Sequence, residues 1–311
     1  MQKYALAVHD ISCVGRCSLT VALPVLSAAG INTSIIPTAL LSTHTGEFTG
    51  YTCLDLSDQL LPITEHLASL ELAFDAFYSG YLTSGKQVHQ VLDMLDQLSG
   101  AQTHIFVDPA FADHGRLYSG MEAAMAMEMR RLCAHAHTIV PNLTEACFLL
   151  GEPFPQELCY SRDFICELTR RLAALGPSNV VITGISFDKS TTGIAVYRRD
   201  MEKPMFLFTK RYDGVFHGTG DVFASFLLAA LLSGKSLFSA AEMALTLTHD
   251  SIVFTLASGR PLRYGVQFER VIPKLCRMLG LSAMMGEDGS VEAGESLVSP
   301  AEHGGMQGTM T

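Results

Sequence analysis

The sequence predicts an α/β fold with a central, mostly parallel β-sheet, helices on both faces and an antiparallel edge. Three observations predict the α/β class. Short β-rich runs recur along the first 280 residues, helix-length amphipathic stretches separate most of them, and one later pair of runs leaves no room for a helix between them.

In order, the strand candidates are residues 4–8, 33–37, 77–81, 104–108, 138–141 and 179–183, each four or five residues long and bounded by turn-forming or polar positions. Strand-helix repetition of this kind puts the ligand site at the carboxyl ends of the strands, so the loops there carry the function. Residues 192–197 and 205–210 form the close pair and read as an antiparallel hairpin that continues the sheet. Helices dominate from 219 to 279. No linker divides residues 1–280, which makes them one domain. Residues 281–311 are rich in Gly, Ser and Glu, hold five acids and no Lys or Arg, and read as a disordered tail.

With 48% hydrophobic and 17% charged residues in 311, the chain can bury a large core. Its 21 basic against 31 acidic residues, a net charge of −10, argue against a nucleic-acid surface and leave small molecules as the expected partners. The longest apolar run, 222–232, is too short to span a membrane, and the opening MQKYALAVHD lacks the apolar core of a signal peptide. The expectation is a soluble cytoplasmic protein. The eight cysteines are scattered, mostly in apolar segments, and read as buried free thiols. Cys13-x-x-x-Cys17 has no second ligand pair, and His135-Ala-His137 falls at a helix end, so neither spacing indicates a structural metal.

Two phosphate motifs fail. Gly234-Lys235-Ser236 nearly completes a Walker sequence, but Ala229 holds the first glycine's place and the segment ends a helix. A dinucleotide fingerprint from Gly218 breaks at Phe223. What remains is Gly218-Thr219-Gly220-Asp221, set against the apolar run. The glycines let the backbone approach a ligand, and the helix that follows offers free N–H groups and the positive end of its dipole. The same dipole should hold Asp221 ionised, ready to take a proton from a hydroxyl. An anion hole beside a base suits phosphoryl transfer. On its own the tetrapeptide fits better a plain turn and a helix that Thr219 or Asp221 merely caps.

The order of further segments makes the likeness specific: VHDISCVGRCS after the first strand, STHTGEFTG at 42–50, YSGYL at 78–82, VDPAFADHG at 107–115, VPNLTEACFLLG at 140–151, VVITG at 180–184 and HGTGDVFAS at 217–225. Over residues 3–280 the chain resembles the pyridoxal, pyridoxamine and pyridoxine (vitamin B6) kinases of the ribokinase-like superfamily. GTGD marks the superfamily, whereas STHTG and SGYL before DP and PNLTEA point to the B6 kinases.

That resemblance implies an ATP-dependent phosphorylation of the substrate's 5'-hydroxymethyl group, with Asp221 as base and Gly218, Thr219 and Gly220 as anion hole. It places Asp10, Ser12, His44, Thr45 and Tyr81 around the vitamer. It places Asp108, Asn142, Glu145, Thr183, Gly184, Thr209, Lys210, Arg211 and Tyr212, with Thr219 and Gly220, around the nucleotide. Asp113 and Glu145 would hold Mg²⁺ directly or through water, and a monovalent cation such as K⁺ stays open. A homodimer is implied too. Several of these residues have plainer uses: Asn142 and Glu145 also form a good helix start, and His44 and Tyr81 also suit a core. Two positions depart from the pattern. Asp10 stands where many pyridoxal kinases carry Ser, and Ala112 replaces Gly in DPAFAD. Asp10 suits a pyridine nitrogen or a substrate amine, but also resembles the acid of the related hydroxymethylpyrimidine kinases, which are the runner-up. A non-catalytic B6- or nucleotide-binding protein is the rival from another class, and the retention of Asp221 with both glycines speaks against it.

Overall fold

The computed structural model describes residues 2–156 and 158–281; the tail expected at 281–311 lies, beyond its first residue, outside them. The strands are β1 (Tyr4–Ser12), β2 (Asn32–Leu41), β3 (Cys53–Asp55), β4 (Ala76–Ser79), β5 (His104–Val107), β6 (Ala112–Asp113), β7 (Arg116–Leu117), β8 (Thr138–Ile139), β9 (Asn179–Ile185), β10 (Thr191–Arg198) and β11 (Met205–Lys210). The helices are α1 (Leu19–Ala28), α2 (Ser57–Ser69), α3 (Gly85–Leu98), α4 (Met125–Ala134), α5 (Leu143–Leu150), α6 (Arg162–Ala174), α7 (Thr219–Leu232), α8 (Leu237–Ala257) and α9 (Ile272–Leu279).

Nine strands form one sheet in the order β11-β10-β9-β8-β5-β4-β1-β2-β3, parallel from β9 to β2. All eight expected strands are present. The antiparallel pairing of β10 with β9 and β11 is the expected hairpin edge. A second antiparallel edge, β3 on β2, corrects the expectation of one. Its three residues, Cys-Leu-Asp, are all exposed, so no buried face leaves an alternating pattern in the sequence. The β6–β7 ribbon, two residues a strand, was likewise invisible.

Alternation along β1 sorts the core into two layers. Ala5 and Ala7 face the side of α1, α7 and α8, while Leu6 and Val8 face the side of α2 to α6. The small pair lets α7 come close to the sheet. From Val222 to Ala230 every residue of α7 is buried, which is why the segment is apolar all round rather than striped. Truncating its fully buried Phe226 to Ala would cost about 3–5 kcal/mol. Gly234 follows the end of α7 and Ser236 caps α8, so the near-Walker segment is a helix-to-helix turn.

The eight cysteines are free, as expected, but only Cys133 and Cys147 are fully buried. Cys13, Cys53 and Cys159 are exposed because they sit in a loop, on the β3 edge and in the turn before α6. No helix among the described residues is long and apolar enough to cross a membrane.

Candidate active site

The parallel strands end on one rim, and one cavity of about 1020 Å³ runs along it. Strand order therefore fixes the order of its lining. Lys210 and Thr209 come from β11, Thr183 and Gly184 from β9, Asn142 from the end of β8, Asp108 from β5, Tyr81 from β4, Asp10 from β1 and His44 and Thr45 from β2. Four strand spacings separate β1 from β9, about 19 Å. The strand order reverses at β1, between β2 and β4, which is where open α/β sheets bind ligands.

Gly218 to Asp221 open α7 against this cavity. Gly218 holds φ 75°, and a β-carbon there would lie 1.9 Å from the Arg16 carbonyl oxygen, so both conformation and space require glycine. The Thr219 hydroxyl donates back to the Phe216 carbonyl at 3.0 Å, and neither it nor Asp221 caps the helix. The first-turn N–H groups lack intrahelical acceptors and are what the loop offers to an anion. Asp221 does not behave as its helix dipole alone would have it. Burial pushes its carboxyl up to about 7, with Asp10 adding to the rise and the Ser18 backbone opposing it.

On the opposite helix, α5, Asn142 accepts from the Glu145 N–H at 3.0 Å while Glu145 Oε2 accepts from the Asn142 N–H at 2.8 Å. Glu145 Oε1 also accepts from the N–H groups of Phe111 and Ala112 at 3.1 and 3.4 Å, and Asn142 Nδ2 donates to the Ala112 carbonyl at 2.7 Å. The buried Ala112, the departure from the family's glycine, is thus pinned in the β6 turn by both motif residues. Burial raises Glu145 and Asp108 well above the usual carboxylate range, and Asp108 repels both Glu145 and Asp221. Asp113 is half-exposed and accepts from the His114 N–H at 2.8 Å. Tyr118, absent from every motif, is the phenol that Glu145, Asp113, Asp108 and Asp221 all surround, and burial with their charges pushes it far up.

At the β1–β2 end, Asp10 is 4% exposed and is raised to about 6 by burial. Ser12 was expected in the site. It is buried and does not line the cavity; two residues on along β1, on the same face as Asp10, it donates to Asp10 Oδ2 at 3.3 Å. The nearby Arg16 binds Glu269 at 2.6 Å. His44 is committed on both nitrogens: Nδ1 accepts from the Gly46 N–H at 3.1 Å and Nε2 donates to the Arg263 carbonyl at 2.6 Å. Tyr81 lies 6.4 Å from Tyr118, ring to ring, and the two phenols form an aromatic wall.

At the other end Lys210 Nζ sits 5.0 Å over the Tyr212 ring, which lies 5.8 Å from His249. Arg211, Thr183 and Gly184 also line this end. Leu245, Thr248, His249 and Ile252 of α8, and Tyr160 and Ser186, complete it without having been foreseen. They are ordinary helix and loop residues in sequence, brought in by tertiary packing. The expected residues thus share one cavity, Ser12 excepted.

The sequence pattern of the phosphomethylpyrimidine kinase family matches residues 23–263. The chain belongs to that family. A Bacteroides thetaiotaomicron protein assigned as a phosphomethylpyrimidine kinase, and crystallised with pyridoxal, is 35% identical; the match covers 88% of this kinase and 96% of that chain, with a TM-score of 0.84. Pyridoxal kinase from Lactobacillus plantarum is 28% identical over 89% and 98% of the two chains, with a TM-score of 0.80. A Bordetella avium pyridoxine/pyridoxal/pyridoxamine kinase is 28% identical over 234 residues, 73% of this chain and 77% of its own. The ribokinase-like fold and the kinase class implied by the motifs are therefore those of the chain.

Proposed function

We propose that this kinase transfers the γ-phosphoryl group of ATP to the 5'-hydroxymethyl group of a vitamin B6 vitamer. The observation that carries the reading is the single cavity in which buried Asp10 and an aromatic wall lie at one end, Asp221 at a helix N-terminus beside them, and Thr183, Gly184 and Thr209 to Tyr212 at the other. Its span fits a vitamer and an extended nucleotide end to end. The relatives named for pyridoxal, and the pyridoxal bound by the Bacteroides protein, support a pyridine over a pyrimidine substrate.

Asp221 accepts the hydroxyl proton as the alcohol oxygen bonds to phosphorus and the bond to the ADP oxygen breaks. With its carboxyl near 7, a large share is ionised at neutral pH, and it is basic enough to take a proton in the transition state. The N–H groups of Gly218 to Gly220 bind the equatorial oxygens of the transferring group, where charge is spread. Asp10 receives the cationic ring nitrogen or amine, and Tyr81 packs the ring. Thr183, Gly184 and Thr209 to Tyr212 hold the nucleotide, with Lys210 and Arg211 offsetting phosphate charge.

Among the described residues no group of three or more His, Cys, Asp or Glu is placed to cage a metal ion. Mg²⁺ does not need such a cage: it keeps several waters and uses one or two carboxylates plus substrate phosphates. Mutually repelling Asp108, Glu145 and Asp221 supply the anionic surroundings such an ion relieves. Glu145, its oxygens already occupied by N–H groups, would act through water, and exposed Asp113 directly or through water. The ion would neutralise charge on the phosphate oxygens. We also infer a homodimer, since Leu40 and Leu54, paired across β2 and β3, are 42% and 59% exposed.

The test is ADP release from Mg-ATP with pyridoxal, pyridoxamine, pyridoxine, hydroxymethylpyrimidine, ribose and adenosine. The vitamers should lead. If hydroxymethylpyrimidine exceeds every vitamer in kcat/KM by tenfold, about 1.4 kcal/mol of transition-state preference, the substrate assignment is wrong.

A further inference from the structure

The loop between β2 and β3 lines the Asp10 end of the cavity through His44, Thr45 and Gly46. Besides the His44 N–H bond to the Val14 carbonyl at 3.4 Å, it rests on the rest of the molecule at two places. His44 and Phe48 stand ring to ring at 5.0 Å, with His44 bonded to the Arg263 carbonyl and Phe48 5.6 Å from the Tyr264 ring. The second place is His217, directly before the phosphate-loop glycine. Its ring lies 4.9 Å from that of His44, and its Nε2 is 3.0 Å from Glu47 Oε2.

Three features single out this contact. The backbone of His217 is fixed independently, its carbonyl accepting from the Val266 N–H at 3.2 Å, so the side chain reaches out from a fixed base. A β-carbon on Gly46 would lie 2.5 Å from His217 Cε1, so the loop backbone lies directly against the ring. Glu47 holds φ 59°, a left-handed conformation that a glutamate adopts only under constraint. Glu47 is about half exposed and His217 18% exposed, and a pair open to solvent on one side contributes little to stability, about what that backbone conformation costs. The contact therefore does not serve the fold. It sets one loop against the other.

We infer that the Glu47–His217 hydrogen bond couples the acceptor-binding loop to the phosphate loop, which makes His217 a positioning residue for the acceptor alcohol. The inference rests on the proposed kinase reaction. With the two loops registered by this bond and by the packing of the His217 ring beside it, the hydroxymethyl group is presented to Asp221 and the Gly218 to Gly220 N–H groups at a set distance.

A double-mutant cycle tests it, with KM for the best vitamer and for ATP measured separately. Glu47→Ala and His217→Ala should each raise the vitamer KM about tenfold, a small misplacement being enough to matter, with the ATP KM unchanged. The double variant should be no worse than the worse single one. Glu47→Gln, whose amide oxygen still accepts, should recover most of the loss. Gly46→Ala should reproduce it with both partners present, because the added methyl displaces the ring. Losses that multiply in the double variant, an ATP KM that rises in step, or unchanged vitamer KM values would each overturn the coupling. Wild-type enzyme on the substrate panel separates this from the functional reading: if another acceptor wins there, that reading falls, and the cycle is run on the winning acceptor.

Discussion

Helices α5 and α7 begin alike. In each a capping position, Asn142 or Gly218, is followed three residues on by an acid, Glu145 or Asp221. At α5 the acid completes a reciprocal capping box and takes two further backbone N–H groups from the β6 turn. At α7 the cap is a left-handed glycine with no side chain to offer, and the acid caps nothing. One pattern thus yields a carboxylate spent on holding two segments together and a carboxylate left over for chemistry. A helix-start signature in sequence does not distinguish them; the side chain at the cap does, since asparagine satisfies the first-turn N–H groups that glycine leaves for a ligand.

The comparison breaks most visibly at Asp221. Asp221→Asn should lower kcat a hundredfold or more, about 2.7 kcal/mol, and leave ATP binding nearly unchanged. Single-turnover rates and equilibrium ATP titration on the two proteins check this. A well-folded Asn variant that turns over normally would make Asp221 as structural as Glu145.

Asp10 sharpens the picture at the neighbouring strand. Its buried carboxyl, raised to about 6, gains most from a cationic partner. Asp10→Ser should move the pyridoxamine-to-pyridoxal ratio of kcat/KM about tenfold away from the amine, with ATP KM constant. A constant ratio with a lower Tm would place Asp10 outside the substrate site.

The raised carboxyl of Asp221 also leaves a mark on stability. Its folded value, about 7, exceeds the unfolded 3.8, so the folded chain holds the proton more tightly and loses stability as pH rises from about 4 to about 7. Asp221→Asn removes that loss. Because the residue is partly exposed, the gain should be about 1–2 kcal/mol at pH 8, shrinking to nothing near pH 4. Thermal melts of ligand-free protein across this range read it directly, and a variant less stable than wild type at pH 8 would contradict the burial account.

What the sequence made legible follows from these contrasts. Strands buried on both faces, such as β1 and β9, announce themselves as apolar runs, and the motif residues at their ends follow. The three exposed residues of β3 carry no such signal. Within the site, residues at strand ends and in the GTGD turn were legible because the chain's local geometry places them. Tyr118 and the α8 residues Thr248 and His249 reach the cavity only through packing between distant segments, and their neighbours in sequence say nothing about it. Ser12 shows the converse: it lies within a matching segment and on the same strand face as Asp10, yet it is buried behind that carboxylate and braces it instead of lining the cavity.

Glu145→Ala is the mildest test and the one that most directly opposes the two helix starts. Removing the side chain leaves the Asn142, Phe111 and Ala112 N–H groups short of an acceptor, but also deletes a buried carboxylate that its surroundings disfavour. The two effects oppose each other, so the net cost should be about 1 kcal/mol, a fall in Tm of about 1–2 °C for a chain this long. In activity, the Mg²⁺ concentration for half-maximal rate should rise several-fold while kcat at saturating Mg²⁺ falls far less than for Asp221→Asn, as expected of a group that acts through ordered backbone and water. Melting curves and Mg²⁺ titrations at fixed ATP separate the outcomes. A kcat loss matching that of Asp221→Asn at saturating Mg²⁺, with Tm unchanged, would mean that Glu145 takes part in the chemistry and that the capping box is incidental to its role.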